Sequence, residues 1–348
     1  MTTSTNKKYT ALRIVFMGTP EFAVASLDAL VKGGCNIVGV ITAPDKPAGR
    51  GMQLQQSAVK KYAVENNLHV LQPEKLKNAE FLEALKALNA DLQIVVAFRM
   101  LPEAVWNMPP MGSVNLHGSL LPQYRGAAPI NWAVINGEKE TGVTTFKLKH
   151  EIDTGDILLQ ESFPINETDN AGDVHDKMKA IGAALLVKTV KGFVDGSLKE
   201  TPQSAAVSHE SSYVSEEPAG ANSPLTTHDS RLTTHDSRLL KHAPKIFTET
   251  CAIHWNKPVD EVYNLIRGLA PYPTAFTFFH DKKLKIYKAE KINKAPAIQP
   301  GNFETDNKTS LLFACSNGYI SILELQLEGK KKMAIADFLR GYRFDVNL

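Results

Sequence analysis

The chain has 348 residues, 43% hydrophobic and 22% charged, which excludes a disordered or fibrous protein and leaves room for two domains with separate cores. No apolar run reaches the ~20 residues that span a bilayer, so no membrane association is expected. Cys35, Cys251 and Cys315 are far apart and in no CxxC pattern, which argues against a disulfide framework or zinc site and for a reducing cytoplasm.

The formal net charge of +2 is unevenly placed. Residues 241–348 hold 16 Lys/Arg against 11 Asp/Glu, or +5, while residues 1–240 hold 23 against 26, or −3. A basic appendage on a near-neutral body suits a polyanion such as nucleic acid, and the same excess also fits ordinary solvated lysines.

The opening, MTTSTNKKYTALRIVFMG, passes straight into a strand-like run, so no signal peptide is read. After the strand at 12–18, EFAVASLDALVKGG (21–34) has helical spacing and a terminal Gly pair. NIVGVIT (36–42) is a strand, and SAVKKYAVENN (57–67) a helix capped by Ser57. NAEFLEALKAL (78–88) is helical, and LQIVVAF (92–98) is the most strand-like run of the chain. Strands alternating with helices predict an α/β domain, a Rossmann-like parallel sheet with helices on both faces. TGVTTFKLK and DILLQESFPI add a strand pair, and a long amphipathic helix over Asp173–Asp195 stops at Gly196.

This first domain is assigned residues 1–198. Residues 199–243 read as a linker, poor in apolar residues and containing the tandem LTTHDSR (225–231) and LTTHDSR (232–238). Two short repeats build no solenoid, and their His-Asp pairs are not read as a metal site. Residues 244–348 form a second, smaller domain. One helix, VDEVYNLIRGL (259–269), precedes short alternating strands in TAFTFFH, KLKIYKAEKI, TSLLFACS and GYISILELQLEG, which predicts a small β-barrel of the oligonucleotide-binding (OB-like) type.

The chemistry concentrates in VNLHGSLLPQYRG. Asn115 and His117, two apart on a strand, share one face and can converge on one atom where the strand ends. In open parallel sheets ligands bind beyond the carboxyl ends of the strands. Asp153 sits in a tight Asp-Thr-Gly-Asp turn, which suits a carboxylate held by local backbone donors. Amide, imidazole and carboxylate together fit acyl transfer without a covalent enzyme intermediate. Taken singly, Asn115 also reads as a turn amide, His117 as a structural histidine and Asp153 as a turn former. No GxSxG elbow is present, so Ser119 does not fit a serine-hydrolase nucleophile. No GxGxxG follows the opening strand and no P-loop Lys-Ser/Thr follows Gly18-Thr19-Pro20, so neither NAD nor a nucleotide is expected.

The pattern N-x-H-x-S-L-L-P-x-Y-R-G, followed by D-T-G-D, resembles the signature of the folate-dependent formyltransferases. FMGTPEFA, PDKPAGRGMQL (44–54), IRGLAPYPTAF (266–276) and KKKMAIADFLRG extend the resemblance over nearly the whole chain apart from the first ten residues and the linker, and point to the branch that acts on aminoacylated tRNA. The resemblance implies a formyl group moved from 10-formyltetrahydrofolate to the free amine of methionyl initiator tRNA; a cytoplasmic monomer without metal is expected. It implies that Asn115, His117 and Asp153 are the catalytic trio. Ser119, Leu120, Leu121 and Pro122 would line the folate site, together with Phe98, Met100 and Leu101 of AFRML. Lys46 and Arg50 of the basic loop, with Lys330, Lys331 and Lys332, would hold the tRNA.

Four features depart from the family pattern: His254, Tyr272, the pair Phe98-Arg99, and a linker longer by some thirty residues. Two related readings stay open, a formyltransferase for a small amine such as a sugar nucleotide or glycinamide ribonucleotide, and a hydrolase of the formyl-folate. A third reading, from another class, is a catalytically silent RNA-binding protein.

Overall fold

A computed structural model of the chain describes residues 11–48, 53–204, 240–279 and 281–342. The tandem LTTHDSR segment and Arg50 lie outside the described residues. The first domain is a seven-stranded sheet. Its elements in chain order are β1 (Arg13–Gly18), α1 (Glu21–Lys32), β2 (Asn36–Ile41), a hairpin of β3 (Lys46–Ala48) and β4 (Gln53–Gln55), α2 (Ala58–Glu65), β5 (Val70–Leu71), α3 (Ala79–Ala87), β6 (Leu92–Val96), α4 (Glu103–Trp106), β7 (Ser113–His117), β8 (Arg125–Gly126), α5 (Pro129–Ile135), β9 (Glu140–Lys147), β10 (Ile157–Pro164) and α6 (Ala171–Asp195). The sheet order is β10-β9-β7-β6-β1-β2-β5. The five strands from β7 to β5 run parallel, and the expected extra pair, β9 and β10, runs antiparallel at one edge.

Near-continuous apolar strands require cover on both faces. On one face Ile14, Phe16, Ile94, Val114 and Leu116 pack with Leu27 and Leu30 of α1 and Met178, Leu185 and Leu186 of α6. On the other, Val15, Met17, Ile41 and Val95 meet Phe81 and Leu85 of α3 and Val105 of α4. Three helices start at side-chain caps, Ser57, Asn78 and Asn170. Ser57 accepts the Lys60 N–H at 3.0 Å, and Asn170 forms a capping box with Asp173, which starts α6 two residues before the predicted position. Gly196 closes α6 in the left-handed conformation at φ 73°.

β11 (His242–Ala243) ends the linker, and the second domain carries α7 (Val259–Leu269), β12 (Ala275–Phe279), β13 (Lys282–Ile292), β14 (Phe303–Thr305), β15 (Leu311–Ala314), β16 (Tyr319–Leu327), β17 (Met333–Ala334) and α8 (Ile335–Gly341). Its sheet has six antiparallel strands in the order β12-β13-β16-β15-β14, with β17 added on β16. It curls around Leu284, Ile286, Ile320, Ile322 and Leu325 and the apolar face of α7. The barrel is a curled half-barrel, open between its edge strands β12 and β14. Trp255 stacks on Phe313 with ring centroids 4.6 Å apart.

The two domains meet along α5 and α7. Asn131 Nδ2 donates to Gly268 O at 2.7 Å, and a Cβ at Gly268 would collide with Ile135. Arg267, 6% exposed, donates from Nη1 to Asp169 O at 2.9 Å. Burial pushes its guanidinium pKa down from the usual arginine value. The chain on either side of the linker is tied to the first domain. Thr201 bridges Ile157, and β11 pairs in parallel with β8.

Candidate active site

The strand order reverses beside β1, which connects towards β2 on one side while β6 lies on the other. Such a switch point leaves a crevice past the carboxyl ends of the strands. A cleft of about 550 Å³ occupies it. Pro20 and Phe22 follow β1, Ala97 and Phe98 follow β6, and Asn115 and His117 end β7 along its floor, with Asp153 beside them. Pro129 and Ile130 of α5 and His175 of α6 complete the wall.

Asn115 and His117 alternate with Val114 and Leu116, which are spent on the α6 side of the sheet, where a Cβ at Gly182 would press on Leu116. Both polar side chains therefore face the cleft together. Among the described residues, none takes a hydrogen bond from the Asn115 carboxamide. The imidazole is fixed: Nε2 lies 2.9 Å from Tyr124 O. A carbonyl only accepts, so Nε2 carries hydrogen and Nδ1 is the nitrogen left for chemistry. Phe146 presents an edge to the ring with centroids 6.4 Å apart.

Asp153 Oδ2 is 3.9 Å from His117 Nδ1, within ion-pairing range and beyond hydrogen-bonding range. The Tyr124 carbonyl orients the ring, and the carboxylate supplies charge. The expectation that local turn donors hold Asp153 is corrected: its Oδ2 accepts the N–H of Gly126, at 3.1 Å, from 27 residues upstream. Gly126 has φ 127°, and a Cβ there would strike the Ala243 carbonyl, so glycine is required. Ala97, Tyr124 and Asp153 all adopt left-handed backbone conformations (φ 46°, 58° and 55°), a concentration of strained residues around one site.

Other residues singled out from the sequence are placed less uniformly. Phe98 lines the cleft, whereas Met100 and Leu101 line a neighbouring groove with Arg99. Ser119, Leu120, Leu121 and Pro122 turn behind the cleft and are not among the residues that line it. Ser119 is fully buried, its hydroxyl donating to Gln123 O at 2.6 Å, and Leu121 N donates to Thr144 Oγ1 at 3.1 Å. The segment supports the wall because its polar groups are consumed internally.

Lys46 is exposed on the β3–β4 hairpin, where the sequence predicted only a long loop. That hairpin is rooted by Asp45, which pairs with Lys60 and accepts from Gln72 Nε2 at 2.8 Å. These partners hold the Asp45 carboxyl below the usual range. Lys330 and Lys331 are exposed at the β16–β17 turn. Lys332 is engaged already, 2.6 Å from Glu324 and over the Tyr287 ring. Phe22, His175 and Asn131 line the cleft without having been singled out, since nothing in their local spacing distinguishes them from helix-face residues.

Both domains, the doubly wound one and the curled sheet, match those of one class of enzyme, the formyl transferases. The chain belongs to that family: residues 12–190 match the formyl transferase domain and residues 245–343 match the formyl transferase C-terminal domain. It is 52% identical over 336 residues to the methionyl-tRNA formyltransferase of Bacteroides fragilis, covering 95% of both chains. With the methionyl-tRNA formyltransferase of Parabacteroides distasonis it shares 54% identity over 338 residues, 95% of this chain and 96% of that one. Its fold is similar to that of the N-formyltransferase from Helicobacter canadensis in complex with folinic acid and dTDP-3-aminofucose, with a TM-score of 0.59 at 20% identity, covering 92% of this chain and all of the other.

Proposed function

We propose that the chain transfers a formyl group from 10-formyltetrahydrofolate to the amino group of methionyl initiator tRNA. The observation that carries this reading is the convergence of Asn115, His117 and Asp153 on one cleft in a chain that has both domains of its family. The cleft suits the folate. Pro20, Phe22, Ala97, Phe98, Pro129 and Ile130 give apolar walls for a flat ring, and the uncommitted Asn115 amide lies at the polar floor.

When bound, the donor supplies an electrophilic formyl carbon whose oxygen becomes anionic as the amine adds. The Asn115 carboxamide donates an N–H to that oxygen. His117, its Nε2–H committed to Tyr124 O, addresses the same oxygen through Nδ1–H as a second donor. The Asp153 carboxylate offsets the imidazolium charge from 3.9 Å. As the C=O bond reforms, the bond to the folate N10 breaks and that nitrogen takes the proton lost by the amine. No acyl-enzyme is needed, which agrees with the burial of Ser119. The apolar walls keep water from replacing the amine.

For the tRNA, the half-barrel with its basic excess supports phosphate contacts, with Lys330 and Lys331 exposed and Lys332 beside them. Lys46 places a cation on the hairpin, and Arg50 follows in the same segment. A small amine acceptor would need neither. The test is incubation with 10-formyltetrahydrofolate and methionyl initiator tRNA, followed by analysis of the aminoacyl group. Formyl-methionine is the expected product. Formate release alone would make the chain a hydrolase, and tRNA retention without turnover a binding module.

A further inference from the structure

Gln203 lies just past α6, where composition suggested a linker, yet it is only 4% exposed. Its amide is fully used. Oε1 accepts from Arg125 Nε at 2.9 Å and Nη2 at 2.5 Å, and Nε2 donates to Asp153 O and Gly155 O, both at 2.8 Å. A primary amide has two N–H donors and one oxygen with two lone pairs, and all four are engaged here. The two segments it joins hold the reacting groups. Residues 124–126 supply the carbonyl that fixes the His117 ring and the N–H that holds the Asp153 carboxylate. Residues 153–155 carry that carboxylate on a left-handed backbone.

The far side of the linker grips the same segment. Lys241 O accepts from Tyr124 N at 2.7 Å, Lys241 N donates to Gln123 Oε1 at 2.9 Å, and its ammonium lies 2.5 Å from Glu138, which also takes the Tyr124 hydroxyl. Gln203 does not line the cleft.

We infer that Gln203, outside the catalytic strand order and in the interdomain connector, is a positioning residue that sets the Asp153 carboxylate against His117 by tying the 153–155 loop to Arg125. The inference rests on the catalytic roles proposed above for His117 and Asp153. A glutamine is needed on chemical grounds. A carboxylate at this position would keep the Arg125 contact and face two carbonyl oxygens without a proton. A thioether would serve neither side.

The test is a double-mutant cycle on single-turnover formyl transfer, using Gln203→Met, Asp153→Ala and the two combined, with substrate affinities and thermal unfolding followed in parallel. Gln203→Met alone should slow transfer about 10- to 100-fold, with KM for folate and tRNA unchanged. In the Asp153→Ala background the same replacement should cost less than twofold, because the group it positions is gone. Gln203→Glu provides a second variant that retains the Arg125 contact, and it should reproduce the Met pattern in both backgrounds. Equal losses in both backgrounds, or a loss in KM instead of turnover, would overturn the inference. Normal turnover by Gln203→Met beside a crippled Asp153→Ala would overturn it and leave the site reading intact. Normal turnover by Asp153→Ala would overturn both.

Discussion

The two domains solve opposite problems. The first buries its sheet on both faces and ends β7 in polar groups, with the His117 ring held by the Tyr124 carbonyl and the nearby Asp153 carboxylate by the Gly126 N–H. The second presents a curled sheet with Lys282, Lys330 and Lys331 exposed at its turns, while Lys283, Lys291 and Lys332 are engaged with neighbouring rings or carboxylates. Rigid placement is what stabilisation of a developing charge requires, since donors that must reorganise lose most of their advantage. A backbone of phosphates is gripped by several mobile cations, each contributing little. The contrast teaches that changes in the first domain should appear in turnover and changes in the second in tRNA affinity.

The largest expected effect is on turnover. His117→Ala removes a donor to the oxygen and the partner of Asp153, and kcat should fall on the order of 10²–10³-fold, with tRNA affinity retained. Steady-state kinetics with each substrate varied checks this. A loss carried by the KM for tRNA would break the division between domains.

Next comes the contact between them. Arg267→Ala withdraws the guanidinium from the Asp169 and Asn166 carbonyls and leaves them without that donor. We expect destabilisation of about 2–3 kcal/mol, measured by denaturant titration, and a larger loss in tRNA use than in folate binding. Gly126→Ala sharpens the point from within the first domain. A side chain at φ 127° against the Ala243 carbonyl displaces the N–H that holds Asp153, so kcat should fall about tenfold with little change in affinity.

Salt should separate the two ligands. Raising monovalent salt from about 50 to 200 mM should raise the KM for tRNA by at least tenfold and leave folate binding nearly constant. Equal sensitivity of both would erase the comparison. The smallest effect concerns the interior of the second domain. Burial pushes the Cys315 thiol up to about 12 and raises that of Cys251. Because only the thiolate reacts, both should resist alkylation at pH 8 in the folded chain and become reactive on unfolding.

Much of this was readable from residue order. Alternation at Val114–His117 placed Asn115 and His117 on one face, and the cap at Ser57 acts as its residue type dictates, whereas the Asn170 cap that starts α6 two residues early was not read. The rest depends on contacts remote in sequence. No local pattern shows that Gly126, 27 residues upstream, holds the Asp153 carboxylate, or that the Tyr124 carbonyl and not the carboxylate orients the imidazole. Ser119 to Pro122 carries a strong motif, yet its polar groups are consumed in shaping a turn behind the cleft. Gln203 was hidden for the opposite reason: its neighbours have linker composition, and only the fold reveals its burial.

The account stands on one donor above the others. Single-turnover transfer by Asn115→Ala, at saturating folate and methionyl-tRNA, measures that donor directly. A barrier raised by about 3–4 kcal/mol with both dissociation constants unchanged is the predicted result. A rate within tenfold of the parent chain, or a defect that disappears at higher substrate concentration, would contradict it.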